Sequence, residues 1–552
     1  MDIMKKEILK QVLLNAVQYN GKADVGAVVG KIIAENPKIK NEIKKIIPEI
    51  KKTVKKVNSW SLKKQKDELS KFKIKKKTKK KEKYELPKLP NAVKGKVITV
   101  FPPEPSKYPH LGHAKAAFIN YMYAKKYKGK FILRFEDTNP EKCKKEYYQA
   151  IIDGLKWLGI KWNKIDYASN YIEKFYKATE KLIKKNKAYV CRCDQEKIKK
   201  YRRIKKSCEC RSNSVNENIN LWKKMLSKKC KPGEMCVRLK ISMSHKNAAM
   251  RDPTIMRIID KKHPRLSKKY RVYPMYDFAT SIMDGIEKIT HRIRSKEFEM
   301  RTGIQKFIQK NLGIKSPVVK EIARFNLKGV PSSGRLIREM IINKKLRGWD
   351  DPRLTTLLAL KRRGFLPEAL RDFLIATGVS KTESILTWDM LETFNRKFID
   401  KKANRYFVVI DPIKIKIKNA PKIKYIKENL HPEFPKRGKR IIYVDLNEIY
   451  ISKDDFKKYK NKKVRLLGLF NIKLNKISEF CGNEIAKNIP KIQWVSKKNI
   501  KIKIIMPDKE IKAIGEPNIK KLKIDDVIQL IRIGFCRIDK KKPEIVLYFT
   551  HG

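Results

Sequence analysis

Apolar side chains recur at helical spacing through residues 1–70, and this period predicts helices. The repeating positions include Ile8, Val12, Leu13 and Val17. A basic low-complexity run follows at residues 71–85, which is typical of a solvated linker and could also contact phosphate. The segment LPKLPNAVKG then supplies the prolines and glycine of a domain boundary. We therefore predict a helical N-terminal extension with a basic linker over residues 1–90.

A second pattern begins near residue 94. The β-branched run KVITVF predicts a strand, a proline-rich loop leads into a helix that begins near His110, and FILRFED predicts another strand. Strand, helix and strand within about 40 residues indicate a βαβ unit of a parallel sheet. Residues 143–189 are predicted to be helical. After a cysteine-containing stretch at 191–236, RVYPMYDFATSIMDGIEKITHRI returns to strand and helix, which indicates a nucleotide-binding fold interrupted by an insertion.

The remainder of the chain changes from helical to β-rich. Residues 350–405 are predicted to be mostly helical. From residue 406 onward the strand-like runs are RYFVVID, KRIIYVDL, KVRLLGLF, KIQWV and IVLYF. Short strands at this spacing predict one or two small antiparallel barrels. No run reaches the roughly 18 apolar residues that a membrane span needs, so we expect no membrane attachment.

Composition adds a polyanionic partner to this picture. The 552 residues include 134 Lys and Arg against 57 Asp and Glu, a formal net charge of +77. Such a surplus repels itself unless it meets polyanions, which favours nucleic acid, although a lysine-biased genome would also produce it. Nine cysteines in a chain without a recognisable signal peptide indicate a reducing cytoplasm rather than a disulfide framework.

The candidate chemistry lies in FPPEPSKYPHLGHAKAAFIN, residues 101–120. This segment holds His110 and His113, two of only seven histidines, at the predicted start of a helix. Free backbone N–H groups and the positive end of the helix dipole make such a start suitable for phosphate. Gly112 leaves room for a ligand to approach the backbone. Taken alone, an H-x-x-H pair is more often a coincidence on a surface helix than a nucleotide site.

The surrounding residues resemble the signature of class I aminoacyl-tRNA synthetases. The segment PPEPSKYPHLGHAKAA is similar to the corresponding segment of the glutamyl/glutaminyl branch, particularly of its archaeal and eukaryotic members. Further segments resemble the same family in the same order, from about residue 94 to the end. These segments are LRFEDTNPEK (133–142), LKWLGIKW (155–162), VYPMYDFATSIMDGIEKITH (272–291), GWDDPRLTTLLALKRRGF (348–365), ANRYFVVIDP (403–412), VRLLGLFNI (464–472) and KIQWV (491–495).

The resemblance implies a multidomain architecture of α/β and β type. Its expected parts are a Rossmann-like nucleotide-binding fold at 94–190 and 270–347, an acceptor-binding insertion at 191–269, a helical connecting domain at 348–405 and a β-barrel anticodon-binding domain at 406–552. The implied reaction activates L-glutamate with ATP and Mg²⁺ and transfers it to tRNA(Glu), releasing AMP and pyrophosphate. We expect a cytoplasmic protein that acts as a monomer.

An ATP site is also implied by the resemblance. The mobile second signature of the class falls on LKGVPSSGRLIREM, residues 327–340, where only Arg335 of the central loop is cationic. By itself this segment is an ordinary Ser/Gly turn, but its position before GWDDPRL favours the signature. The residues that the resemblance assigns to ATP are Pro103, His110, Gly112, His113, Ser332, Ser333 and Arg335, of which His110, His113 and Arg335 are the catalytic candidates.

The amino-acid pocket raises the choice between glutamate and glutamine. A buried carboxylate ligand needs a cation, whereas an amide does not. The glutamate-charging branch places an arginine where Arg294 falls, and the glutamine branch tends to be uncharged there. Arg292 could be confused with it, and a solvent-facing basic residue is the alternative for both. The other residues implied for glutamate are Glu104, Glu136, which should hold the ammonium, and Tyr276, which should line the pocket or pack in the core.

Two departures from the family keep other functions open. Val100 stands where the family usually has arginine, and Lys107 replaces a usual glycine. The missing arginine has three possible consequences. A neighbouring cation such as Lys107 substitutes for it, the affinity for the amino acid is reduced, or the chain is less active. The competing hypotheses are therefore a glutaminyl-tRNA synthetase and a weakly active tRNA-binding paralogue.

Two C-x-C pairs in residues 191–210 are candidates for a metal site. Cys191, Cys193, Cys208 and Cys210 offer four thiolates to a tetrahedral Zn²⁺. The commoner spacing is C-x-x-C, and free thiols in an intracellular insertion are the alternative. Because four thiolates leave no open coordination position, such a zinc would be structural.

Overall fold

The computed structural model describes residues 2–19, 21–35, 42–72, 86–227 and 229–552. The chain forms two compact units, Met1–Lys83 and Tyr84–Gly552. The basic run at 71–85 lies mostly outside the described residues, so its predicted role as a linker or phosphate-contacting arm stays a prediction.

The smaller unit is helical, as its apolar period predicts. Its helices are α1 (Asp2–Gln18), α2 (Val25–Glu35), α3 (Ile43–Asn58) and α4 (Leu62–Ser70). Their apolar sides meet in a core that includes Ile8, Val12 and Val54. The Ser61 hydroxyl caps α4 by accepting a hydrogen bond from Lys64 N at 3.3 Å.

The larger unit begins with alternating strands and helices. These are β1 (Ile98–Phe101), α5 (Leu111–Lys126), β2 (Lys130–Phe135), α6 (Lys145–Trp157), β3 (Lys164–Tyr167) and α7 (Ile172–Lys184). The βαβ unit from β1 to β2 is confirmed. The purely helical prediction for 143–189 is wrong, because KIDY pairs with β2 as a short parallel strand.

An antiparallel sheet follows. Its region contains β4 (Ala188–Cys191), α8 (Gln195–Ile204), α9 (Val215–Leu226), β5 (Cys236–Leu239), β6 (Thr254–Ile258) and β7 (Val272–Pro274), with sheet order β4-β5-β6-β7. The chain then returns to the parallel sheet through α10 (Tyr276–Ile286), β8 (His291–Ser295), α11 (Thr302–Leu312), β9 (Val318–Ile322) and α12 (Gly334–Ile342).

The parallel sheet has the order β3-β2-β1-β8-β9. The chain runs outward from β1 to β3 on one side and from β8 to β9 on the other. Strand order therefore reverses at β1, and ligands of open α/β sheets bind beyond the carboxyl ends of the strands at such a point. The loop after β1 leads directly into α5.

Helices α13 (Leu357–Arg363), α14 (Pro367–Ala376) and α15 (Trp388–Lys402) confirm the helical prediction for 350–405. The C-terminal strands are β10 (Asn404–Tyr406), β11 (Val408–Ile410), β12 (Pro412–Lys418), β13 (Tyr425–Asn429), β14 (Lys439–Tyr443), β15 (Ile449–Ser452), β16 (Lys463–Leu466), β17 (Asn471–Lys473), β18 (Ile477–Phe480), β19 (Lys491–Ile492), β20 (Val495–Ser496), β21 (Ile500–Ile505), β22 (Glu510–Gly515), β23 (Val527–Leu530), β24 (Gly534–Lys540) and β25 (Ile545–His551), with α16 (Lys453–Tyr459) after β15.

These strands form two seven-stranded sheets and the β13–β14 hairpin. Each large sheet has its own apolar core, one of them around the fully buried Trp494. The prediction of β-rich C-terminal modules is confirmed, but the pairing is mixed rather than wholly antiparallel. For example, β21 pairs in antiparallel fashion with β22 and in parallel with β25.

None of the helices in the described ranges combines the length and the apolar character that crossing a membrane requires.

Candidate active site

The two signature histidines lie at the start of α5, just beyond β1. His110 is the N-cap residue, and its Nδ1 accepts a hydrogen bond from Gly112 N at 3.0 Å. Its own N–H donates to Nδ1 of His113 at 3.2 Å, which completes a reciprocal cap. The two rings lie 4.1 Å apart between centroids. The residues His-Leu-Gly-His therefore cap the start of α5 with their own side chains.

The caps fix the protonation state of both imidazoles. A ring nitrogen that accepts a hydrogen bond carries no proton, so the free Nε2 atoms are the N–H donors. Burial, together with the charges of Lys107 and Arg324, lowers the pKa of His110 to about 3. Burial and His110 hold the pKa of His113 well below its ordinary value. Near neutral pH the site thus presents two neutral N–H donors.

The helix start is tied to the segment that precedes α13. Leu111 N donates to Thr355 O at 3.1 Å, and Leu357 N donates to Pro109 O at 2.8 Å. Thr356 caps α13 by accepting from Ala359 N at 3.0 Å. The signature helix and the segment GWDDPRLTT are therefore braced against each other by backbone bonds.

The candidate second-signature loop lies against the loop after β1. Lys107 Nζ donates to Ser332 O at 3.3 Å, and Arg338 Nη1 donates to Ser106 O at 2.8 Å. The Lys107 side chain packs directly against Gly334, where an added Cβ would lie 2.8 Å from Lys107 Cδ. Ser333 caps α12, and Arg335 follows it as an exposed residue. Thus the two segments assigned to ATP come together in space.

Pro103 and Glu104 lie in the same loop. The carbonyl of buried Pro103 accepts a hydrogen bond from Glu136 N at 3.0 Å, which joins the loop to the end of β2. Glu104 is half-buried, and its charge acts on Lys107. Glu104 therefore lies close enough to Lys107 for the two charges to interact.

Glu136 belongs to a buried charge cluster centred on Arg134. The Arg134 guanidinium contacts Glu136 at 3.0 Å, Asp284 at 3.1 Å and Glu287 at 2.8 Å. Burial raises the pKa of Glu136 and raises that of Glu287 to about 7, although Arg134 opposes both shifts. Glu136 Oε2 is buried and has no hydrogen-bond partner among the described residues. It is therefore an acceptor left open for a ligand.

Arg292 and Arg294 lie on the same face of β8 but have different partners. Arg292 donates to Thr280 Oγ1 at 2.7 Å and forms a close ion pair with Asp284. Arg294 donates only to neutral oxygens, at Gln305 Oε1 (2.8 Å), Thr302 Oγ1 (2.6 Å) and Phe298 O (3.2 Å). No carboxylate of the described residues lies within 4.0 Å of the Arg294 guanidinium, although that group is buried.

Tyr276 begins α10 and lies between these groups. Its ring is 5.5 Å from Phe298, and burial raises the pKa of its hydroxyl, with Arg292, Glu136 and Arg294 all close enough to act on it. The structure thus brings together three residues predicted for glutamate: Glu136, Tyr276 and Arg294.

Val100 is buried on the central strand. Thr99 is in register with His291, so the next residues, Val100 and Arg292, are neighbours on the opposite face of the sheet. Lys107, the replacement cation suggested by the sequence, instead bonds to Ser332 O. Sequence reasoning treated Arg292 only as a possible confusion with Arg294. Sequence reasoning could not place Arg292 beside Val100, because that neighbour relation depends on the order of the strands in the sheet.

The four cysteines of the two C-x-C pairs come together at one end of β4. Their sulfur atoms all lie within 4.8 Å of one another, and Sγ of Cys191 and Cys208 are 3.8 Å apart. Four metal–sulfur bonds of about 2.3 Å at tetrahedral angles require sulfurs at about this spacing. The thiol set therefore fits a Zn²⁺ ion.

Three family models match the chain in succession. Residues 96–401 match the catalytic domain of the class I tRNA synthetases (E and Q). Residues 403–490 and 491–539 match two anti-codon binding domains of the same group.

Curated relatives match the chain over nearly its whole length. The glutamate–tRNA ligase of Nitrosopumilus maritimus is 42% identical over 99% of this chain and 99% of the relative. The glutamate–tRNA ligase of Pyrococcus furiosus is 40% identical over 99% of this chain and 100% of the relative. Among solved structures, a glutamate–tRNA synthetase from Elizabethkingia anophelis is 18% identical, with a TM-score of 0.40 over 55% of this chain and 70% of that chain.

Proposed function

The chain belongs to the class I tRNA synthetases specific for glutamate or glutamine, and we propose that it is a glutamate–tRNA ligase. In the first step the α-carboxylate of glutamate attacks the α-phosphorus of ATP, forming glutamyl-adenylate and releasing pyrophosphate. In the second step a terminal ribose hydroxyl of the tRNA attacks the adenylate, and AMP leaves. Neither step uses a covalent enzyme intermediate, so the residues act by positioning substrates and stabilising charge.

The start of α5 is the proposed phosphate site. The Nε2–H groups of His110 and His113 donate to phosphoryl oxygens, on which negative charge accumulates in the transition state. Neutral donors are suited to this role because their protonation does not vary near neutral pH. ATP brings Mg²⁺ on its phosphates as part of the substrate. Pro103, Gly112, Ser332, Ser333 and Arg335 complete the ATP site, with Arg335 as the exposed loop cation.

One observation carries the choice of glutamate. Among the residues that the structure describes, the buried Arg294 has no carboxylate as an ion-pair partner, and one buried oxygen of Glu136 has no hydrogen-bond donor. The ammonium of glutamate would satisfy Glu136 Oε2, and its side-chain carboxylate would pair with Arg294. Glutamine would leave that guanidinium unpaired, and a site built around a specific polar partner discriminates strongly against a ligand that lacks it. Tyr276 lines this pocket, and Glu104 is the outer member of the proposed set.

Arg292 is our candidate for the cation that Val100 does not provide. It lies beside Val100 in the sheet, and its charge acts on both Glu136 and Tyr276. Lys107 is directed towards the second-signature loop and has a pKa lowered by burial. The charges of Glu136, Arg292 and Arg294 around Tyr276 argue against the weakly active paralogue that Val100 suggested.

We also propose a structural Zn²⁺ held by Cys191, Cys193, Cys208 and Cys210. When bound, the ion would cross-link β4 to the turn before α9. The cysteines would hold this insertion in the shape that receives the acceptor end of the tRNA. Since all four thiolates would be ligands, the ion has no position open for chemistry.

The cellular setting is consistent with translation in the cytoplasm. We propose a reducing compartment, because nine cysteines in a long chain fit one better than a disulfide framework. The net charge of +77 suits a polyanionic substrate such as tRNA. A monomer is the simplest active form, and light scattering of the purified protein tests it.

The decisive experiment is aminoacylation of purified tRNA with labelled glutamate and labelled glutamine in parallel. We expect ATP-dependent charging of tRNA(Glu) with glutamate and negligible charging with glutamine. Charging with glutamine alone would favour the glutaminyl alternative, and binding of tRNA without charging by either amino acid would favour the inactive paralogue.

A further inference from the structure

The outer face of the β13–β14 hairpin exposes aromatic side chains. Tyr425 and Tyr443 face each other as the first pair of the ladder and are 48% and 50% exposed. Ile441 on the same face is 44% exposed. Directly opposite residues of an antiparallel pair have Cβ atoms about 4.5–5.5 Å apart, so the two tyrosines form one continuous patch.

The inner face of the hairpin is firmly anchored. Ile442 is buried in a C-terminal core, and Arg440 forms a buried ion pair with Glu516 at 2.9 Å. Asn518 Nδ2 donates to Ile441 O at 2.8 Å. The tyrosines therefore project from a rigid support, which lowers the entropy that a ligand would lose on docking.

The charge around the patch is positive. Lys427 and Lys439 share the exposed face, and Lys498 Nζ lies 4.4 Å from the Tyr443 ring centroid. Lys427 Nζ lies 5.9 Å from the centroid of Tyr425. Glu428 is the single acid in the two strands, and strand alternation turns it to the inner face. The exposed face thus combines two ring surfaces with cations and no carboxylate.

We propose that Tyr425 and Tyr443 are a stacking platform for an unpaired base of the tRNA, with Lys427 and Lys498 against the adjoining phosphates. Unpaired bases stack on aromatic side chains, and neighbouring cations follow the backbone. A protein partner would favour a larger apolar patch without a ring of lysines. The proposal rests on the proposed function, and it names a surface within the 403–490 region that matches an anti-codon binding domain.

The test uses the full-length protein with two RNAs. One is the whole tRNA(Glu), and the other is a minihelix that keeps the acceptor and T arms but lacks the anticodon arm. The variants are Tyr425→Ala with Tyr443→Ala, and Tyr425→Phe with Tyr443→Phe. Tyr19→Ala, which truncates a tyrosine that is 59% exposed in the N-terminal unit, is the matched control.

We expect the double alanine variant to bind whole tRNA roughly 10- to 100-fold more weakly, the scale of one or two lost base–aromatic stacks. The double phenylalanine variant should stay within about threefold of wild type, because stacking needs the ring and not the hydroxyl. Minihelix affinity and kcat at saturating tRNA should be unchanged, while KM for tRNA rises. The Tyr19→Ala control should match wild type.

Two results would overturn the platform. One is an unchanged tRNA affinity in the double alanine variant with an unchanged unfolding midpoint. The other is an equal loss for whole tRNA and minihelix, which would mean a contact that does not depend on the unpaired loop. If the wild-type protein charges no tRNA, the proposed function is wrong. That result differs from the two results that would overturn the stacking platform, because those concern only the affinity of the variants for RNA.

Discussion

Replacing Arg294 with leucine should separate glutamate binding from folding. The guanidinium is 7% exposed and bonds only to neutral oxygens of Gln305, Thr302 and Phe298. Burial lowers its pKa, and the charges of Tyr276, Glu321 and Asp277 offset that shift only in part. The free protein therefore holds a buried cation that has no ion-pair partner among the described residues, and the substrate carboxylate would supply that partner.

The expected magnitudes follow from these partners. Loss of a buried, hydrogen-bonded charge pair costs about 2–5 kcal/mol of binding, which corresponds to roughly 30- to 5000-fold in kcat/KM for glutamate. The free energy of unfolding should change by no more than about 1 kcal/mol, because removing the unpaired charge offsets the hydrogen bonds lost. Arg292→Leu is the matched contrast, since it deprives Asp284 of a partner and should destabilise the protein by about 3 kcal/mol.

The assay combines steady-state charging with glutamate and glutamine and urea unfolding of both variants. Arg294→Leu should raise KM for glutamate and narrow the preference over glutamine while the urea midpoint stays near that of wild type. The reasoning would be refuted if Arg294→Leu kept full glutamate charging and full discrimination. It would equally fail if the variant were as unstable as Arg292→Leu, because Arg294 would then be a structural residue.

Three further predictions concern the histidines and cysteines. The folded pKa of His110, about 3, lies below its unfolded value, so the stability that the neutral ring contributes is lost as pH falls below about 6.5. His110→Asn keeps a cap acceptor, so its free energy of unfolding should fall less steeply than that of wild type in urea titrations between pH 7 and 5. His113→Ala should slow glutamate-dependent ATP–pyrophosphate exchange, measured with tRNA present, by roughly 100-fold or more, and unchanged exchange would contradict its catalytic role. Metal analysis of protein prepared without chelator should give about one Zn²⁺ per chain, and the ion should be lost when Cys191 and Cys193 become serine. Protein that is metal-free and fully active would show that the four cysteines do not form a metal site needed for activity.

Local signals predicted the elements around the phosphate site because each depends on neighbouring residues. The helix start at His110 follows from a cap and an apolar period that lie within one short segment. The same reasoning missed β3, since KIDY has only four residues and begins with lysine, and its strand character comes from pairing with β2. Mixed pairing in the C-terminal sheets was also missed, because parallel and antiparallel strands share the period of two.

The amino-acid pocket shows why the residue types were predictable and their partners were not. Arg292 and Arg294 are two residues apart on one strand, so the sequence gives both the same face and the same charge. What distinguishes them is α10, whose Asp284 forms an ion pair with Arg292, whereas no carboxylate of the described residues forms an ion pair with Arg294. The distinction is a property of helix-to-sheet packing, because Asp284 pairs with both Arg134 and Arg292, while Arg294 has no ion-pair partner among the described residues. A pocket that keeps an unpaired cation in its interior gains specificity and loses folding stability. Comparing Arg292→Leu with Arg294→Leu measures both quantities, as the free energy of unfolding and the preference for glutamate over glutamine.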